Sequence, residues 1–262
     1  MSVDIFRKSL SDRVRLLGIV AASLATMNVL VLLLFGSLGE QYGEILEAMP
    51  PEILAALGAS DLGTPVGWLN AEMFSFVIPM ALVGVGIVIG VGAIAGEEDR
   101  MTLNVLLAAP VGRVRVAFSK VAALILLLAV LGAVSWAALV IGAALGNVDI
   151  GADKLLAGTV MGFLFGAFFA CLAFGIGAAT GRPGLAAAVS AGLAVLAFMA
   201  NAFLPLVEGW ERAQELSPFY WYLGTNPLAD GIDLGAAILL GGFAVLFAIA
   251  GTIVFNRRDI GV

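Results

Sequence analysis

The chain has no histidine. A zinc site built on imidazoles, a Ser/His intramembrane protease and a haem held by a histidine pair are therefore excluded. It has one cysteine, Cys171, so no disulfide forms within the chain, and in the middle of an apolar run this residue reads as small packing material. No glycine precedes a lysine, which removes the Gly-rich phosphate loop ending in Gly-Lys-Ser/Thr, so the chain is not expected to hydrolyse ATP itself. Charge is scarce as well, at 12% of residues against about 25% in an ordinary soluble domain. None of it falls inside six long runs: 16–39, 73–96, 121–148, 155–181, 183–207 and 234–256. A charge at the bilayer centre costs about 2.5–3.5 kcal/mol on insertion scales and persists only where it relays protons or lines an ion path. No proton relay is legible here. The polar residues left in the runs, such as Ser23, Thr26, Asn28, Ser135 and Asn201, suit back-bonding or bridging to a neighbouring helix.

What remains is apolar. Hydrophobic residues make up 61% of the 262, and mean hydropathy is +1.08. Each run exceeds the roughly 20 residues a helix needs to cross a hydrocarbon core about 30 Å thick. A backbone in lipid must satisfy its own hydrogen bonds, and runs of this length point to helices rather than barrel strands. The fold class expected is all-α: one polytopic domain over 1–262 with six transmembrane helices. The first run is too long for a signal-peptide core and reads as a retained span.

An even number of spans puts both termini on one side. With the N-terminus inside, eleven of the thirteen bases are inner and only Lys154 and Arg212 are outer, so both ends are expected in the cytoplasm of a plasma-membrane protein. The outer pieces are then 40–72, 149–154 and 208–233. Thirteen of the nineteen acids lie there, and a pI near 4.6 argues against a nucleic-acid partner. Within 40–72, "MPPEILAALG" reads as one short helix, and in 208–233 "SPFYWYLGTNPL" reads as an interfacial aromatic belt. The short inner turn "TGRPG" makes spans four and five an antiparallel hairpin.

Residues 1–15, "MSVDIFRKSLSDRVR", place Val3, Phe6, Leu10, Val14 and Leu17 at helical spacing with Asp4, Lys8 and Arg15 opposite. This predicts an amphipathic helix lying in the inner interface of the bilayer, with Phe6 and Leu10 as apolar contacts and Arg7 and Lys8 as bases. Glycine is abundant, 33 residues, and Gly158, Gly162 and Gly166 form a small-residue stripe along span four that would let a neighbouring helix approach closely.

The inner segment between spans two and three, "GEEDRMTLNVLLAAPVGRVRVAFSK", is compact, charged and helix-prone. Thr102 can cap a helix through Leu103, Leu106 and Leu107, with Glu97 and Glu98 at its positive end and Pro110 as its breaker, while Arg113, Arg115 and Lys120 reach the headgroups. A short rod braced at both ends would pass a push to spans two and three.

This segment resembles the inter-span segment of ABC-2 type transporter permeases, especially prokaryotic multidrug or antibiotic exporters. The matching positions are Glu97, Glu98, Thr102, Leu103, Leu106, Leu107, Pro110, Val111, Arg113 and Lys120. Met101 stands where the family usually has Gly, Asn104 where it often has Glu, and Gly112 where it often has Ser. The resemblance extends over the chain through the basic N-terminal helix, the approach to span two, "SPFYWYLGTNPL" and "FNRRDIGV". It implies a half-size membrane subunit that pairs with a second copy or a related permease and binds two ABC ATPase subunits. Those partners carry the ATP and Mg, and this chain carries no catalytic, cofactor or metal site. The inter-span rod would be the coupling helix, seated on the ATPase, with the N-terminal helix as a second contact. The substrate expected is amphipathic or lipophilic. The alternative is a non-transporting membrane scaffold or sensor associated with an ATPase.

Overall fold

A computed structural model describes residues 2–47, 63–103, 111–207 and 209–259. The fold is all-α, with no strand among the described residues. Six helices are long and apolar enough to cross a membrane: Val14–Leu38, Pro65–Ala93, Arg113–Leu145, Ala152–Thr180, Pro183–Phe203 and Leu234–Arg257, here spans one to six.

Span four is the axis. It packs against span two on one side and span six on the other, with spans three and five beside it, while span one leans on span three. Its glycine stripe faces span two. A Cβ at Gly166 would come within 3.0 Å of the Leu82 side chain, and one at Gly162 within 3.4 Å of Ile78 and Leu82. Gly158 takes the ring of Phe74 and the side chain of Leu228 in the same way. Without a hydrophobic drive between helices in lipid, such close approach is what generates contact area. Span two answers with its own small face: a Cβ on Gly90 would stand 2.3 Å from the carbonyl oxygen of Ala170. Spans one and three are joined at depth by Asn28, whose Nδ2 donates to the Ser135 hydroxyl at 2.8 Å and to its carbonyl at 3.2 Å. Spans four and five form the hairpin expected from "TGRPG", turned by Gly181 at φ 67°, a conformation that favours glycine.

Four expectations change. Span three begins at Arg113 rather than 121, because its basic residues continue the helix toward the end that holds both termini. Span two begins at Pro65, with Thr64 capping it, and runs through Glu72, whose side chain stays exposed. The charge at Glu72 lies within the helix, so it does not mark where span two starts. The N-terminal helix covers Ser2–Ser11 and is separated from span one by a turn at Asp12 and Arg13. One unbroken stripe from Val3 to Leu17 therefore does not exist: Val14 is 63% exposed, and the residue that enters the bundle is Ile5. It packs in a cluster with Leu103, Val116, Ala117, Phe174 and Phe255.

The fourth change concerns "SPFYWYL". Ser217 caps a helix over Pro218–Leu223, and Phe219 and Tyr222, three apart on one face, are buried rather than arrayed as a belt. The Tyr222 ring stacks on Phe165 of span four, with centroids 5.1 Å apart, and Phe219 meets Phe165 edge-on. This inserted helix packs into the end of the bundle away from the termini. The helix read in "MPPEILAALG" falls within 48–62, outside the described residues.

Candidate functional site

At the end of the bundle that holds both termini, span two breaks at Ile94, and a short helix, Ala95–Asp99, carries the acids. They turn inward. The Glu97 carboxylate pairs with the Lys120 ammonium of span three, and that of Glu98 pairs with the Arg258 guanidinium at the end of span six. Arg113 donates to the Arg258 carbonyl, and the Thr102 hydroxyl donates to the Glu97 carbonyl at 3.0 Å. Lys120 is only 6% exposed, so it is a buried partner rather than a headgroup contact. Arg13 lies against Gly92 of span two. Burial pulls its pKa down, while the neighbouring Glu97 carboxylate pushes it back up and Arg100 opposes. The result is a clasp of paired charges joining spans two, three and six, and Gly181 of the turn between spans four and five lies against the Glu98–Arg258 pair.

The predicted coupling residues thus divide. Glu97, Glu98 and Arg113 belong to the clasp, Leu103 is fully buried beside Ile5, and Thr102 is exposed. Leu106, Leu107 and Pro110 lie within 104–110, outside the described residues. Thr102 and Leu103 are helical, and Met101 precedes them at φ 58°. On the N-terminal helix, Arg7 and Lys8 are exposed and Phe6 and Leu10 are half-buried. Sequence reasoning missed Arg258 and Arg13 as internal partners. Their signal was present in the excess of bases near a pair of acids, but pairing across the bundle has no local spacing.

A groove of about 250 Å³ runs between spans two and five. Phe76, Pro79, Met80 and Val83 form one wall, Phe198 the other, and Phe219 of the inserted helix closes the end away from the termini. Among the described residues, Ser75 is the sole polar one on its surface, and no ionisable group lines it. Such a surface takes apolar or weakly polar matter. Among the described residues, no cluster of three or more Cys, Asp or Glu could hold a metal.

The sequence model of one protein family, described as ABC-2 family transporter protein, matches residues 3–260. No curated protein matches the chain.

Proposed function

The chain belongs to the ABC-2 transporter family, and from that premise we propose that this membrane permease is the spanning subunit of an exporter for amphipathic or lipophilic compounds. ATP, with Mg, is hydrolysed on a separate ATPase subunit, two copies of which serve a pair of permeases. The complex sits in the plasma membrane with both termini of this chain in the cytoplasm.

The clasp carries the reading. The short helix Ala95–Asp99, which leads toward the segment that would seat on the ATPase, is fastened through Glu97 to span three and through Glu98 to span six, so a displacement passed to it would reach spans two, three and six together. The groove between spans two and five, which lacks any ionisable lining, fits a substrate without a buried counter-charge.

Coexpression with the ATPase encoded beside this gene tests the assignment. The two proteins should copurify, and reconstituted vesicles should move a fluorescent uncharged lipophilic dye only with ATP. Leu106→Asp with Leu107→Asp should abolish both association and transport. Copurification without ATP-dependent movement would replace the exporter with the scaffold reading. Failure of any ATPase to associate would remove both.

A further inference from the structure

We infer that Tyr222 and Asn226 are positioning residues for the mouth of the groove, holding the outer third of span two in a π register whose release to an α register turns different side chains toward it. The inference rests on the exporter reading in one respect, that the groove is where substrate sits.

π-Helix is rare, occurs mostly as single-turn bulges, and is frequent at functional sites. Here eight consecutive residues, Asn70–Val77, adopt it, between α-helical Pro65–Leu69 and Ile78–Ala93 of the same span. The bonding at its inner end explains why two registers compete. The Ile78 N–H donates to the Met73 carbonyl, five residues back. The next donor would be that of residue 79, which is proline and has none. In the π register the Phe74 carbonyl loses its partner, and in the α register the Ser75 carbonyl would. Proline thus penalises both, and lipid offers no substitute. The Tyr222 hydroxyl decides between them by donating to the Phe74 carbonyl at 2.8 Å, with both residues fully buried.

The outer end is held by the same inserted segment. Asn70 Nδ2 donates to Asn226 Oδ1 at 2.7 Å, and Asn226 sits at φ 46°. Yet the clamp is incompletely paired: Asn70 Oδ1 and Thr225 Oγ1 are buried with no hydrogen-bond partner. Unpaired buried acceptors lower the stability of the junction, as suits a joint with a second arrangement. The wall of the groove straddles it, with Ser75, Phe76, Pro79 and Met80 from span two and Phe219 from the inserted helix.

A π turn holds more residues than an α turn. Rewinding therefore moves each side chain outward of Ile78 into the place now held by its predecessor, about 100° round the axis. Met73, fully buried now, would take the exposed place of Glu72, which a carboxylate keeps within reach of water.

The experiment uses a Cys171→Ser chain carrying Met73→Cys and a small maleimide. Labelling should be slow with Tyr222 present and about tenfold faster or more with Tyr222→Phe, the shift expected from leaving one buried acceptor unpaired. Asn226→Gly keeps the left-handed backbone and removes only the amide, so it should accelerate labelling in the same direction and carries the test if Tyr222→Phe fails to fold. Phe165→Leu disturbs the ring stacked on Tyr222 without touching the hydroxyl, and labelling should stay slow. Equal acceleration by Phe165→Leu, or none by Tyr222→Phe and Asn226→Gly, overturns the switch. ATP-dependent dye movement by the parent chain separates the two readings. Its absence removes the exporter and leaves the labelling result standing, whereas movement with unresponsive labelling removes the switch alone.

Discussion

Met101 occupies a left-handed conformation at φ 58° just after the short helix Ala95–Asp99. An L side chain there costs about 1–2 kcal/mol. Glycine also releases more entropy on unfolding, so Met101→Gly should give a net gain of about 0.5–1 kcal/mol, read as a higher midpoint of thermal unfolding in detergent. The two ion pairs of the clasp differ in burial. Lys120 is 6% exposed against 18% for Arg258. Removing one partner of a buried pair strands the other charge, and Glu97→Gln should cost about 3 kcal/mol. Glu98→Gln, at the wetter pair, should cost about 1 kcal/mol, nearer the range of exposed pairs. Adding Lys120→Met to Glu97→Gln should recover most of the loss, and a chemical-denaturation series checks all of these. Equal costs at Glu97 and Glu98 would refute the ranking by burial.

Helix contacts in this bundle are decided by which small residues face a backbone. The stripe Gly158, Gly162 and Gly166 is visible in the sequence, but Gly162 has slack: an added Cβ meets only side chains, at 3.4 Å and beyond. Gly90, outside that stripe, would drive a Cβ to 2.3 Å from the Ala170 carbonyl. Gly90→Ala should therefore cost about 1–3 kcal/mol, as overpacking does, whereas Gly162→Ala should change stability by less than about 0.5 kcal/mol. The fraction of protein remaining monodisperse after stepwise heating distinguishes them. The inserted helix Pro218–Leu223 teaches the same lesson. Its aromatic run predicted a surface element, yet Phe219 and Tyr222 share the one face that meets Phe165.

At the scale of the molecule, the charges tie three spans together at one end of the bundle. Span two ends in two acids that reach sideways to spans three and six, and the first residues of the rod are fastened to the same place by Thr102 and the buried Leu103. Under the exporter reading, Arg258→Gln should leave ATPase association intact while lowering ATP-driven dye transport about tenfold, a change of about 1.4 kcal/mol in coupling. Copurification and vesicle transport measured on the same preparation test it, and unchanged transport would show that span six is not driven through this pair. The orientation is open to a separate measurement. A reporter that fluoresces only in the cytoplasm should be bright when fused to either terminus, as the inner excess of Lys and Arg requires.

Sequence alone determined that this is a helical membrane domain, because lipid imposes a length and a polarity on each crossing that composition records directly. It also determined the hairpin at Gly181, which is local in the chain, and the resemblance later matched by the family over residues 3–260. Only the tertiary structure decided that Glu97 and Glu98 face Lys120 and Arg258, that Ile5 rather than Val14 enters the core, and that Tyr222 reaches the Phe74 carbonyl. Those pairings join residues 23 to 160 positions apart where they are bonded. No periodicity carries them, since they depend on how helices rotate about their own axes when packed, and that rotation is set by close contacts such as Gly90 on Ala170.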